Sequence, residues 1–371
     1  MTLALGTAPI DVRAGFGADP ESEAALALDL EATDRVLRDL LDERVERASR
    51  HGTAYRRLWE AARDEASGGK RIRPELVLRS HRAWGAPNPA GAVRVAAAFE
   101  LLHTAFLMHD DVIDGDRTRR GVPNLAGRLA ADAVAQGAGE SRAYGYGDAS
   151  AILAGDLLIN AAHGLVARAP VSAGEGAALL DLLDECIFRT AAGEHDDVRL
   201  AIGLGADRRA ILAMLADKTA AYSFSAPLQA GAILGGAADA PIAALGRIGE
   251  HLGLVFQLRD DVLGVFGDEA VTGKSAAGDL REGKETLLIA FAREHGSWTD
   301  AGRAFGDAHL DEEEATALRG AIRASGALTR VEEIIDLHAR LAIAELDGSD
   351  LPPGLRAQLA ATVRACSGRS R

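Results

Sequence analysis

Apolar residues recur at spacings of three and four along most of the chain, the period of helices that bury one face. The pattern predicts helices over 28–47, 74–84, 92–114, 150–167, 176–200, 208–232, 243–265 and 284–294. From 310 to 365 shorter helices follow, broken by Gly and Pro. No strand-length run of alternating β-branched residues occurs, and no repeat at the periods of solenoid proteins. Two stretches interrupt the helical pattern. Residues 134–149 are rich in Gly and small side chains, and residues 267–283 hold four glycines, four acidic residues and two basic ones. Both read as surface loops rather than linkers, because helical periodicity resumes at once on the far side. The expectation is an all-α chain with a mobile N-terminal segment, 1–25, and one helical domain, 26–371.

Composition supports helix over strand. Apolar residues make up 48% of the 371, yet aromatics only 4%, so Ala and Leu supply most of the core. The net charge of −14 argues against a nucleic-acid partner, which would show a basic face. Cys186 and Cys366 form no CxxC pair, so a reducing cytoplasm is the expected location. Met1 to Glu21 has no basic patch followed by an apolar core, and no signal peptide is expected. The uncharged run Thr219 to Ala238 is long enough to span a bilayer, but it holds Ser223, Ser225, Pro227, Gln229 and several glycines. It reads as a buried helix pair, not a transmembrane segment.

Chemistry concentrates at a few places. At about 100° per residue, His103, Phe106, Asp110 and Asp114 share one helix face. Asp110 and Asp114 are one turn apart, a repulsive spacing that a shared hard cation such as magnesium would relieve. Behind them comes a Gly- and Pro-bounded loop with Arg119 and Arg120, whose guanidinium forks suit phosphate oxygens. A second basic loop, Gly68-Gly-Lys-Arg-Ile-Arg-Pro74, sits at a helix start, where anions are also favoured. A second acidic helix end, Val255-Phe-Gln-Leu-Arg-Asp-Asp-Val-Leu-Gly264, places Gln257 on the face of Asp260 and Asp261. Lys274, Asp279, Arg281 and Lys284 follow it, and Asp217-Lys218-Thr219 offers one more cation. Two aspartate-rich helix ends with several basic clusters suit a pocket for two diphosphates, one held through magnesium and one by cations directly.

From these residues the sequence resembles the trans-type isoprenyl diphosphate synthases, the polyprenyl synthetase family, over roughly 30–340. Five motifs stand in the family's order: GGKRIRP (68–74), HDDVIDGDRTRRG (109–121), GEHDD (193–197), DKT (217–219), and FQLRDD followed by GK…DLREGK (256–284). The resemblance implies an all-α isoprenoid synthase bundle around a deep central cavity, and a homodimer. It implies that Asp110, Asp114 and Asp260 ligate magnesium, about three ions per active site. Arg119, Lys218 and Lys284 would contact the allylic diphosphate (dimethylallyl, geranyl or farnesyl). Lys70, Arg73, His103 and Arg120 would bind isopentenyl diphosphate, with Lys274 a further substrate contact. Pyrophosphate would depart to leave an allylic cation, the second alkene would attack it, and a proton would leave near the Thr219 carbonyl and Gln257.

Three departures from the family pattern stand out: Gly264 in place of the usual last aspartate of the second motif, Glu194 in place of Gln, and Ala220-Ala221 after DKT. Phe106, one turn before Asp110, could floor the channel under a growing chain, and Ala105 beside it is small. The expected product is geranylgeranyl diphosphate (C20), with farnesyl diphosphate (C15) next. A class I terpene cyclase would not need Lys70, Arg73 and Arg120. A non-catalytic partner subunit would lose aspartates from the first motif, and all three are present. A His-Asp phosphohydrolase, suggested by His103 and His109, leaves the second aspartate pair unexplained.

Overall fold

The computed structural model describes residues 20–86, 89–119, 121–204, 207–267 and 277–368. Arg120 and Lys274 lie outside them. The described chain clusters into two compact units, one of 20–184 with Pro227–Ala238, the other of Glu185–Ala226 with 239–368.

The first unit begins with α1 (Pro20–Ser49), α2 (Thr53–Ala66), α3 (Ile72–Ala83) and α4 (Pro89–Ile113). A two-residue ribbon, β1 (Thr118–Arg119) against β2 (Val122–Pro123), leads to α5 (Leu125–Ala135) and α6 (Glu140–Ala167). The unit boundary falls within α7 (Ala173–Ala201). Every residue from Val95 to Leu102 is buried, so α4 is wrapped on all sides, packing on α1, α3 and α6. Later in the chain α9 (Ala226–Leu234) joins this unit, with the Ser80 hydroxyl donating to the Leu228 carbonyl at 2.7 Å.

The second unit continues from α7 through α8 (Arg208–Leu215) and a π-helical segment (Ala216–Ser225). After α9 come α10 (Asp239–Phe266), α11 (Gly278–Glu282), α12 (Leu287–Arg293), α13 (Trp298–Ala301), α14 (Glu312–Ala324), α15 (Ala327–Gly348) and α16 (Pro353–Cys366). Helix α10 buries Leu245, Ile248, Leu252, Val255 and Val262, a regular apolar stripe, and packs on the π segment and α15. Arg259 forks onto Glu332 of α15 at 2.6 and 2.7 Å.

Most expected helices are present, with informative differences. Of the expected N-terminal segment, 1–19 lies outside the described residues, and 20–25 form the first turns of α1. Pro20 starts the helix, Glu21 and Glu23 suit its positive end, and Glu23 accepts from Arg79 of α3 at 2.7 Å. Helix α2 lies outside the expected set, although it buries one face of Leu58, Trp59, Ala61, Ala62 and Ala66. The expected loop 134–149 is helical from Glu140 onward. Gly147 serves packing: a β-carbon there would overlap the Ala126 carbonyl oxygen and lie 3.1 Å from that carbonyl carbon, so Gly lets α6 close on α5. The expected continuous helix 208–232 widens into the π segment, and the loop 267–283 contains α11.

Thr219–Ala238, noted for its lack of charge, is mostly buried, divided between the π segment and α9. Helices α4 and α6 are long and apolar enough to cross a membrane, with 78% and 50% of their most apolar windows buried within the chain. Cys186 and Cys366 are both buried and unbridged.

Candidate active site

In the first unit the functional residues converge on the C-terminal end of α4. His103, Phe106 and Asp110 are half-buried, Ala105 and Asp111 are buried, and Asp114 is exposed. The helix stops in a Schellman motif: the Asp116 N–H donates to the Asp111 carbonyl at 2.8 Å and the Gly115 N–H to Val112 at 3.3 Å, with Gly115 at φ +74°. That reversal lets the ribbon bring Arg119 back over the aspartates. Arg119 Nε donates to Asp111 Oδ1 at 3.0 Å, and Nη2 reaches Asp110 Oδ2 at 3.3 Å. Burial pushes the Asp111 carboxyl above its ordinary range, and Arg119 opposes that shift. Burial works against the Arg119 charge as well, but Asp111 and Asp110 outweigh it and hold the guanidinium more firmly protonated.

The basic loop before α3 is held in a strained shape. Arg71 has φ +52°, the left-handed region, which among the described residues no other non-glycine adopts. Three hydrogen bonds hold it there: Nε to Asp34 at 2.8 Å, Nη1 to Glu100 at 2.7 Å and Nη2 to the Ala66 carbonyl at 3.1 Å. Glu100 lies one turn before His103 on α4. The Arg71–Glu100 pair, with side-chain exposures of 14% and 6%, therefore ties the loop of Lys70 and Arg73 to the helix of His103, Asp110 and Asp114. Lys70 itself is exposed and Arg73 half-buried. His109 turns aside: its Nε2 lies 3.2 Å from the Ile152 carbonyl and 3.4 Å from Asp156 on α6, which removes support from a His-Asp hydrolase.

In the second unit, Lys218 sits in the π segment, a wide turn that often marks functional positions. Its Nζ is 2.6 Å from Asp197 and 3.0 Å from Glu194, so the GEHDD element of α7 is the seat of this lysine. Gly193 is required there: a β-carbon would overlap the Lys218 backbone nitrogen and stand 2.7 Å from its Cα. Thr219 is half-buried in the same turn, and Asp217 accepts from Arg189 Nε at 2.7 Å.

At the end of α10, Asp260 is half-buried and Asp261 buried. Gln257 Nε2 donates to Asp261 Oδ1 at 3.1 Å, and Lys284 Nζ lies 3.2 Å from the same oxygen. Burial pushes the Asp261 carboxyl up while Lys284 opposes it, and the Asp261 charge in turn holds the Lys284 ammonium well above its ordinary range. The other oxygen, Asp261 Oδ2, is buried with no hydrogen-bond partner among the described residues.

The structure brings Arg119 to Asp110, Lys218 to the GEHDD element, and Gln257 and Lys284 to Asp261, and it supplies pairings that the motif spacing did not. Arg71 and Glu100 form the clamp, Asp111 and Asp261 hold the cations, and Asp197 with Glu194 seats Lys218. A signal existed for Glu100, an acid inside an otherwise apolar run; for the rest only the fold supplies the pairing.

Comparison with known proteins agrees with this chemistry. The polyprenyl synthetase family model matches residues 56–319. The chain is 36% identical over 265 residues to a short chain isoprenyl diphosphate synthase of Methanothermobacter thermautotrophicus, covering 71% of this chain and 75% of that one. It is 33% identical over 302 residues to a (2E,6E)-farnesyl diphosphate synthase of Mycobacterium tuberculosis, covering 76% and 77%. The fold is similar to the crystal structure of a geranylgeranyl pyrophosphate synthase from Corynebacterium glutamicum complexed with isoprenyl diphosphate and magnesium. That match has a TM-score of 0.81 at 32% identity and covers 91% of this chain and 99% of that one. With its motifs seated as above on an all-α isoprenoid synthase fold, the chain belongs to the polyprenyl synthetase family: it is a short-chain isoprenyl diphosphate synthase, a trans-prenyltransferase.

Proposed function

We propose that the chain condenses isopentenyl diphosphate with an allylic diphosphate (dimethylallyl, geranyl or farnesyl) head-to-tail, and that its principal product is geranylgeranyl diphosphate. The observation that carries the two-diphosphate reading is the Arg71–Glu100 clamp. It joins the basic loop of Lys70 and Arg73 to the helix whose end presents carboxylates. A terpene cyclase, with one diphosphate, has no use for that connection.

Lys70, Arg73, His103 and Arg120 are assigned to isopentenyl diphosphate, with Lys274 a further contact. Arg119, Lys218 and Lys284 place positive charge on the departing diphosphate. The donors at both helix ends are hard carboxylate oxygens, and one of them, Asp261 Oδ2, is buried with no hydrogen-bond partner among the described residues, so the residues fit magnesium. Asp110 and Asp114 would hold it at one end and Asp260 at the other. Bound there, the metal would neutralise the diphosphate and stabilise the leaving pyrophosphate. The Thr219 carbonyl and Gln257 stand as the groups near proton loss. Phe106, backed by the small Ala105, is the proposed stop for chain growth. A homodimer is also proposed, since α6 exposes Tyr144, Tyr146, Ile152 and Leu153.

The test is incubation with isopentenyl diphosphate, magnesium and each allylic primer in turn, with products separated by chromatography. The expected outcome is a C20 product that disappears on chelation. A C15 stop or a longer chain would overturn the length assignment, and turnover that persists in excess chelator would overturn the metal assignment.

A further inference from the structure

Position 264 stands one turn beyond Asp260 on α10, the relation that Asp114 has to Asp110 on α4, but it is a glycine. The space of the missing side chain is filled from elsewhere. A β-carbon on Gly264 would overlap a carboxylate oxygen of Asp279 and lie 2.8 Å from its Cγ. Asp279 is therefore packed directly on the bare stretch of α10, in the volume an aspartate at 264 would occupy.

The backbone that brings it there is well anchored. Helix α11 ends at Gly283, φ +70°, and the Lys284 N–H donates to the Asp279 carbonyl at 3.0 Å. The one turn thus sets the Asp279 carboxylate on Gly264 and the Lys284 ammonium on Asp261. Leu280 is fully buried, its carbonyl accepts from the Gly306 N–H at 2.9 Å, and Arg281 Nε donates to the Leu310 carbonyl at 3.1 Å. The charge of Asp279 is felt at both neighbours, opposing ionisation of Asp261 and favouring the ammonium of Lys284. Asp261 Oδ2 is buried with no hydrogen-bond partner among the described residues. A further cation at this helix end would satisfy that orphaned carboxylate oxygen.

We propose that Asp279 is the missing member of the second acidic motif, contributed by the following turn of chain instead of by α10, and that its carboxylate adds to the cation site of Asp260. The inference rests on the magnesium–diphosphate reading above, and the experiment separates the two. Magnesium chloride with inorganic pyrophosphate is titrated into the full chain by calorimetry, for wild type, Asp279→Asn, Gly264→Asp, Asp279→Gly, and Gly264→Asp combined with Asp279→Gly. Asp279→Asn keeps the shape and removes the charge, so it should leave the thermal midpoint in place and weaken binding by about 10-fold or more. Gly264→Asp alone should also weaken binding, since its β-carbon displaces Asp279. The double variant, which moves the carboxylate onto α10, should recover to within about 3-fold of wild type. Binding by Asp279→Asn within about 2-fold of wild type, or a double variant no better than Asp279→Gly, would overturn the inference while leaving the proposed function standing. Failure of the wild type itself to bind magnesium and pyrophosphate would overturn the reading beneath it.

Discussion

The acidic ends of α4 and α10 share a pattern, Phe-x-x-x-Asp-Asp, and answer the same electrostatic problem in related ways. In both, the second aspartate is the buried one, Asp111 at 5% exposure and Asp261 at 2%. In both it takes a cation from downstream chain, Arg119 in one case and Lys284 in the other. The first aspartate stays half-buried. The reason is physical: a buried carboxylate needs a permanent partner, so the second aspartate of each pair is the one that holds the cation in place. The ends differ in how they finish. Arg119 bridges both aspartates, whereas Lys284 meets Asp261 and shares it with Gln257. The third carboxylate is Asp114 at the C-terminal cap of α4, but at α10 the corresponding volume belongs to Asp279.

The sharpest test of the parallel is the first aspartate of each pair. Asp110→Asn and Asp260→Asn should each lower kcat by about 100-fold or more in steady-state prenyl transfer, and a loss under 10-fold at either end would break the equivalence. Next come the cations. Lys284→Met leaves Asp261 buried and uncompensated and should cost about 3–5 kcal/mol in urea unfolding. Arg119→Met should also destabilise, by about 1–3 kcal/mol, because it leaves the buried Asp111 without this partner.

The pH dependence should follow the same logic. A carboxyl whose folded pKa is raised contributes stability below its unfolded value, near 4, and loses it as pH rises through the folded value. Burial already raises Asp261, and removing Lys284 raises it further. The Lys284→Met deficit against wild type should therefore be smallest near pH 5 and grow toward pH 7, as read from urea midpoints at the two values.

The aromatics offer a subtler contrast. Phe106→Ala should lengthen the prenyl product, and an unchanged chromatogram would remove it as the channel floor. Phe256 stacks on Phe224 with centroids 5.4 Å apart, so Phe256→Ala should cost about 1–2 kcal/mol of stability and leave product length alone. The smallest effect is expected away from both aspartate ends. Arg71→Lys removes a fork that lysine does not reproduce, and should raise KM for isopentenyl diphosphate about 5-fold without changing that for the allylic substrate.

Much of this was legible along the chain, for reasons that vary by element. Helices α4 and α10 announced themselves because burial on one or all sides imposes a periodic run of apolar residues. Helix α2 lies outside the expected set although Leu58 and Trp59 help form its buried face, and the start of α6 reads as a loop because Gly145 and Gly147 look like turn residues. The π segment was invisible, as its widened turn changes no residue type. Asp110, Asp114, Lys218, Asp260 and Lys284 stand out along the chain because they fall in short motifs of fixed local order.

What the sequence by itself determined is therefore the helical class, the two acidic ends, the basic clusters and the family to which they belong. Each follows from residue type and short-range spacing. Only the tertiary structure decided which cation answers which carboxylate, that Arg71 is clamped by Glu100, and that Asp279 fills the space at Gly264. Those pairings join residues distant in the chain, and they are set by how far backbones can approach and which charges burial leaves in need of a partner.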